Sequence, residues 1–318
     1  METMSVKVRS IREDAIGIRV FELAAADSHA LPAAAPGDHI DVHITEDLVR
    51  QYSICNPGCD THYVIGIKRV EPSRGGSEAM HQVVREGDVL RIGRPRSNFR
   101  LNDDGRPKLL IAGGIGITPI LSMATALAAR NAPFRLHYFA QSPEHAAFRR
   151  QLARSELAPH ARLRLRLAGG ALERAVSLLT ESRQADEEIY LCGPAPFMAL
   201  VQQSALDHGW PAAAIRTEYF AAAPAAPAAS APFTLRLQRS GLSTEVASHE
   251  TILAALRRLG LPVRTSCEQG ICGTCEARVL SGTPEHRDSY LSEEESRSGR
   301  KICVCVSRSK GRELVLDL

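Results

Sequence analysis

The chain has 318 residues, 44% of them hydrophobic and 24% charged, with a formal net charge of +3. That length suits two or three domains rather than one core, and so small and dispersed a charge excludes a nucleic-acid-binding surface. No apolar run approaches the ~18 residues of a membrane span, no basic-then-apolar leader opens the chain, and eight cysteines fit a reducing compartment, so the expected location is the cytoplasm.

The first third alternates apolar and polar residues over 5–11, 17–23, 39–44 and 62–68, with a further strand at 87–92. Pro36-Gly37-Asp38 and Asn56-Pro57-Gly58 break these runs, which together predict a small antiparallel β-barrel over 1–103. A helix-like stretch follows at 78–84. From Pro107 the period changes. The apolar strand 108–112 leads into glycines and an Ala-rich helix reaching Arg130. A strand at 134–139, a helix at 144–157, strands at 162–167 and 188–193 and a helix at 196–208 complete an α/β parallel-sheet domain over 104–222. Three prolines among alanines mark residues 223–232 as a semi-rigid linker. The remainder, 233–318, has the size of a small α+β domain with a helix at 251–259.

Within the last domain Cys267, Cys272 and Cys275 stand in C-x4-C-x2-C spacing, with Cys303 and Cys305 further on. This is the plant-type [2Fe–2S] pattern, in which four thiolates hold two irons. Gly270 and Gly273 let the loop backbone close on inorganic sulfides. Zinc sites favour paired C-x2-C knuckles, and only one such pair exists here. Cys303 and Cys305 alternate along an expected strand over 301–307, and residues two apart share a face, so periodicity does not choose the fourth ligand.

Two strand-end loops have nucleotide chemistry. Gly113-Gly114-Ile115-Gly116-Ile117-Thr118-Pro119 follows a strand and precedes a helix, where backbone N–H groups reach a pyrophosphate. Cys192-Gly193-Pro194 ends a second strand at the same sheet edge, where a glycine admits a flat ring. In the barrel, Arg50-Gln51-Tyr52-Ser53 offers a bidentate phosphate partner and an aromatic face. Arg74-Gly75-Gly76-Ser77 adds N–H groups and a hydroxyl at a helix start.

The order R-x-Y-S, G-G-S, G-G-x-G-x-T-P, C-G-P and C-E-Q-G-x-C-G-x-C resembles the phthalate dioxygenase reductase family over essentially the whole chain. The resemblance implies an FMN barrel, an NAD domain of the ferredoxin-reductase type and a β-grasp ferredoxin domain. It places Cys305, ahead of Val306-Ser307-Arg308, as the fourth ligand, and Arg50 and Ser77 on the FMN phosphate. Tyr52 and Ser53 would flank the isoalloxazine, with Ile67 and Lys68 on the flavin-facing strand. Thr118 would lie near flavin and nicotinamide, Cys192 at the nicotinamide's landing site, and Phe220 over the flavin. Where relatives carry an arginine near the adenosine end this chain has Gln141, and no basic cluster follows Phe139 to grip a 2′-phosphate, which favours NADH.

The implied function is an NADH-dependent reductase passing electrons through FMN and [2Fe–2S] to a Rieske-type terminal oxygenase, in a transient complex, from a monomer. The organic substrate would never touch this chain. A cytochrome P450 client is the rival enzyme reading, and an electron-carrier or redox-sensing module is the rival of another class. His286-Arg287-Asp288 reads as a surface loop covering the cluster rather than as acid–base machinery.

Overall fold

The computed structural model describes residues 3–27, 29–45, 48–71, 73, 75–220 and 231–318. It forms two compact units, Met1–Glu218 and Tyr219–Leu318. Residues 223–230 of the expected linker lie outside the described residues, as does Arg74.

The first unit opens with an antiparallel sheet. Its strands are β1 (Thr3–Ala15), β2 (Ile18–Ala25), β3 (His39–His43), β4 (Val49–Ser53), β5 (His62–Lys68) and β6 (Val89–Gly93), with helix α1 (Gly76–Gln82) between the last two. The strand order is β4-β3-β6-β1-β2-β5, and an Ile54↔Ile65 bridge joins the two ends into a barrel. Alternation drives this closure: Val6, Val8, Leu23, Ile40, Val42, Ile65 and Ile67 point inward to one buried cluster.

The parallel sheet of the same unit has the order β11-β10-β7-β8-β9. Its strands are β7 (Lys108–Gly113), β8 (Phe134–Ala140), β9 (Ala161–Leu165), β10 (Glu188–Cys192) and β11 (Ile215–Glu218). Helices α2 (Ile117–Ala129), α3 (Arg149–Leu152), α4 (Gly170–Glu181) and α5 (Ala195–Asp207) connect them. Every residue of central β7 is buried, as a strand covered on both faces requires. Even Lys108 is only 1% exposed, and its Nζ bonds Glu188 Oε2 at 2.8 Å on neighbouring β10.

Two expectations need correction here. The helix expected over 144–157 is broken into a 3-10 turn at Pro143–His145 and the single turn α3. Phe148 takes a left-handed φ of 60° at the break, and its N–H donates to Asp14 Oδ2 at 2.5 Å. A tertiary contact to the barrel therefore overrides local helix propensity. Helix α4 was absent from the sequence reading, because Gly169-Gly170 and an exposed Leu178 blur its apolar stripe.

The second unit holds a mixed sheet of order β13-β12-β18-β14-β16 and a two-stranded ribbon β15-β17. Its elements are β12 (Phe233–Leu237), β13 (Ser243–Val246), α6 (Ile252–Arg258), β14 (Glu276–Ser281), β15 (Pro284–Glu285), α7 (Glu293–Ser298), β16 (Lys301–Cys303), β17 (Arg308–Ser309) and β18 (Glu313–Leu316). Leu235, Leu237, Ile252, Leu256, Ile302 and Leu314 make its core. The strand expected over 301–307 stops at Cys303, and residues 304–306 form a turn closed by Ser307 N–H to Cys303 O at 3.0 Å. The alternation argument for Cys303 and Cys305 therefore fails: the two do not share one straight strand. No helix among the described residues is long and apolar enough to cross a membrane.

Candidate functional site

In the barrel, folding brings together two segments that the sequence keeps 26 positions apart. Arg50 lies on β4 and its side chain runs across Gly76, so that a Cβ at Gly76 would overlap it. Gly75 bends the chain at φ 86° to deliver this approach. Arg50 Nη1 also donates to Val49 O at 2.8 Å, and Ser77 Oγ accepts from Val70 N–H at 3.2 Å. Tyr52 shares the Arg50 face of β4. Its hydroxyl oxygen is buried, and among the described residues it has no hydrogen-bond partner. Burial pushes the phenol upward. A guanidinium laid on a glycine and an orphaned buried hydroxyl on one strand face fit a ligand with a phosphate at one end and a polar chain beyond.

Gln51 points to the other face, where its amide donates to Asp41 Oδ1 at 3.1 Å and meets His39 Nε2 at 3.2 Å. Arg96 completes this group through Asp41 Oδ1 at 2.7 Å. Gln51 thus belongs to a polar knot on β3–β4, and burial lowers His39 there to about 4. Ser53 is buried, Ile67 sits in the barrel core and Lys68 is exposed at the end of β5. A Cβ at Gly66, beside Ile67, would meet Thr118 Cγ2 at 3.0 Å and the Phe148 ring at 2.9 Å. Thr118 is thereby placed where barrel and parallel sheet meet, with its hydroxyl donating to Ile115 O at 3.0 Å.

At the carboxyl edge of the parallel sheet the two strand-end loops touch. A Cβ on Gly116 would strike the Cys192 carbonyl and, at 2.7 Å, the Gly193 nitrogen. A Cβ on Gly113 would meet the Phe197 ring at 2.8 Å and Pro194 at 3.0 Å. Gly114 has open space around it at φ 55°. These contacts make the glycines a condition of the loop junction. Cys192 is fully buried, which drives its thiol well above the usual value.

Glu218 heads the Glu218-Tyr219-Phe220 segment that ends the expected NAD domain, but the sequence motifs assign it no role of its own. It stands opposite Cys192 in the β10–β11 register, and its Oε2 is buried without a partner among the described residues. Burial raises this carboxyl to about 8 and its proximity raises Cys192 further. Only the juxtaposition with Cys192 could have signalled it, and that exists only once β11 pairs with β10. Phe220 lies two positions beyond Glu218, as the second residue of the second unit.

In the second unit, Cys267, Cys272, Cys275 and Cys305 are all buried. A hydrogen bond from Cys267 lowers the Cys272 thiol, and hydrogen bonds from Cys303 and Cys305 lower that of Cys275. Gln269 N–H donates to Cys267 Sγ at 3.3 Å, the kind of amide bond that supports a thiolate. Among the described residues no three ligand side chains close on a single ion, and a binuclear cluster needs two thiol pairs instead. Cys305 leaves the 304–306 turn toward Cys267 and Gly270, whereas Cys303 stays fully buried on β16.

The sequence profile of the 2Fe-2S iron-sulfur cluster binding domain matches residues 235–310. The vanillate O-demethylase oxidoreductase of Acinetobacter baylyi is 42% identical over 320 residues, covering 100% of both chains. One from Pseudomonas putida is 44% identical over 314 residues, covering 98% of each. The solved phthalate dioxygenase reductase, described as a modular structure for electron transfer from pyridine nucleotides to [2Fe-2S], is 35% identical with a TM-score of 0.77, covering 99% of this chain and 98% of that one. The chain belongs to the phthalate dioxygenase reductase family. An intact type IV self-sufficient cytochrome P450 monooxygenase also matches at 30% identity and a TM-score of 0.85, over 99% of this chain and 41% of that one. As a phthalate dioxygenase reductase family member, the chain is an oxidoreductase that serves as a reductase component, with a [2Fe–2S] cluster binding domain at its C-terminal end.

Proposed function

We propose that this chain is the NADH-dependent reductase of a multicomponent Rieske-type oxygenase or demethylase, with electrons running from NADH through FMN and the [2Fe–2S] cluster to the terminal oxygenase. One observation carries it. A phosphate-and-hydroxyl cradle (Arg50, Gly76, Tyr52) and a glycine-lined landing site (Gly116, Cys192, Gly193) occur in one compact unit, and the four-thiol loop follows in the same polypeptide. FMN and the cluster, when bound, supply the conversion of a two-electron donor into single-electron delivery.

The residues do the rest by holding and orienting. Arg50 and the Gly75-Gly76-Ser77 turn would grip the flavin phosphate, and Tyr52 would give its hydroxyl to the chain beyond. Gly113, Gly114 and Gly116 present backbone N–H groups to the pyrophosphate of NADH, while Gly193 and Pro194 leave a flat surface for the nicotinamide. Thr118 and Cys192 border the reacting edge, and the Glu218 carboxyl stays protonated near neutral pH, which keeps a negative charge away from it. Cys267, Cys272, Cys275 and Cys305 would hold the irons, with Cys303 a buried neighbour. The domain limits 1–103, 104–222, 223–232 and 233–318 follow from the same reading, as do a cytoplasmic location, a monomer and a transient complex with the oxygenase.

The P450 reading is supported by the match to the self-sufficient monooxygenase. Purified reductase mixed in turn with a Rieske oxygenase and with a P450 separates the two. The proposal expects NADH-driven reduction of the Rieske centre at least tenfold faster than of the haem. The opposite ranking overturns it.

A further inference from the structure

His286-Arg287-Asp288 has no place in the electron path above, yet the loop that carries it presses directly on the cluster loop. Gly270, at φ 70°, is wedged so tightly that a Cβ there would meet Asp288 Cα and Cβ at 2.9 Å and Val306 Cγ2 at 2.5 Å. Gly273, at φ 69°, lies under the Tyr290 ring, which a Cβ would overlap. The two glycines between the first three ligands are therefore both covered by residues 288–290.

Asp288 is the centre of this covering. Its side chain is 1% exposed. Oδ1 accepts from the Ser307 hydroxyl at 2.9 Å, and Oδ2 accepts from Leu291 N–H at 3.0 Å. The Ser307 oxygen in turn accepts from Arg287 N–H at 3.1 Å, and Ser289 N–H donates to Gly270 O at 2.9 Å. His286 Nδ1 stands 3.7 Å from Asp288 Oδ1, and neither of its buried ring nitrogens has a hydrogen-bond partner among the described residues. Ribbon β15–β17 fixes the root of the loop by pairing Glu285 with Arg308. Ser307 is two positions past Cys305, and Gly270 lies between Cys267 and Cys272. The buried carboxylate thus reaches the Cys305 end of the ligand set through Ser307, and the amide of the next residue, Ser289, reaches the loop between Cys267 and Cys272 through Gly270.

We propose that Asp288 is a positioning residue for the [2Fe–2S] centre: through Ser307 and the 286–291 strap it locks the cluster loop against the Cys305 turn, and its charge lowers the cluster's reduction potential. The geometry requires both effects. A loop held by a carboxylate on one side and a backbone amide on the other sheds iron slowly only while both anchors stand. A buried negative group beside the ligands disfavours an added electron.

The proposal rests on the ligand set given above, and the full-length holoprotein tests it. Iron loss to bathophenanthroline disulfonate is followed by visible absorbance, and the midpoint potential by a redox titration read in EPR. Asp288→Ala is expected to lose iron at least tenfold faster than the parent. Asp288→Asn keeps an acceptor oxygen without the charge. It should hold iron within threefold of the parental lifetime, while its reduction equilibrium shifts about tenfold toward the reduced form, about 59 mV for one electron. Ser307→Ala, which keeps the carboxylate, should shorten the lifetime at least threefold and decides the matter if Asp288→Ala does not fold. Parental lifetimes in the alanine variants, or an unmoved potential in Asp288→Asn, overturn the proposal. A parent without [2Fe–2S] absorbance would instead overturn the ligand set.

Discussion

Replacing Glu218 by glutamine should remove a pH dependence from the first unit. In the folded chain burial lifts this carboxyl from its ordinary 4.5 to about 8, so it keeps a proton that the unfolded chain has already lost. Its stabilising contribution is complete below pH ~4.5 and fades as pH rises through about 8. The lowered histidines His39 and His137, both held near 4 by burial, act the other way, with stability lost as pH falls below ~6.5. Between pH 6.5 and 8 the carboxyl therefore stands apart from them. At ~1.4 kcal/mol per pH unit that window is worth up to about 2 kcal/mol, and roughly half of it once the partly accessible edge of the residue is screened. A unit of this size moves by about 2–4 °C per kcal/mol, so the parent's melting temperature should fall by roughly 2–8 °C across the window. Thermal release of flavin fluorescence, measured at pH 6.5 and 8.0 in parent and Glu218→Gln, reads this directly. The variant's slope should be less than half the parental one. A variant that tracks the parent would refute the claim that Glu218 is buried and protonated beside Cys192.

Arg50→Ala should weaken flavin binding by about 1.5–3 kcal/mol, roughly 10- to 150-fold in Kd, as a charge-assisted phosphate contact is lost; fluorescence titration of the flavin-stripped chain measures it, and unchanged affinity would place Arg50 away from the phosphate. Tyr52→Phe should act in opposite directions on two readouts. Removing an orphaned buried hydroxyl raises the melting temperature of the flavin-stripped chain, while flavin affinity drops by about 0.5–1.5 kcal/mol. A change of the same sign in both would mean that the hydroxyl does not face the flavin.

The parts legible in sequence were those whose chemistry is written in adjacent residues. The C-x4-C-x2-C loop announced itself because its ligands follow one another, and the barrel strands did so because β1, β2 and β5 each bury residues two apart, Val6 and Val8, Phe21 and Leu23, Ile65 and Ile67. The cradle was half legible: Arg50 and Gly76 each stood out as a phosphate device, but only folding lays one across the other. Glu218 was invisible as a titrating group, since its burial arises from β11 pairing with β10. Phe148 misled the helix expectation through a bond to Asp14, 134 positions away. Cys303 and Cys305 could not be separated by alternation because alternation presumes a straight strand, and the 304–306 turn is what parts them.

The electron path itself is tested most directly by Cys272→Ser in stopped-flow mixing with NADH, recorded at flavin and cluster wavelengths with cytochrome c as the final acceptor. Flavin bleaching should proceed within about threefold of the parental rate, while cytochrome c reduction falls by at least ~100-fold, a change of about 2.7 kcal/mol in the barrier. Cytochrome c reduction at the parental rate would contradict the path, because electrons would then be leaving without passing through the thiol loop.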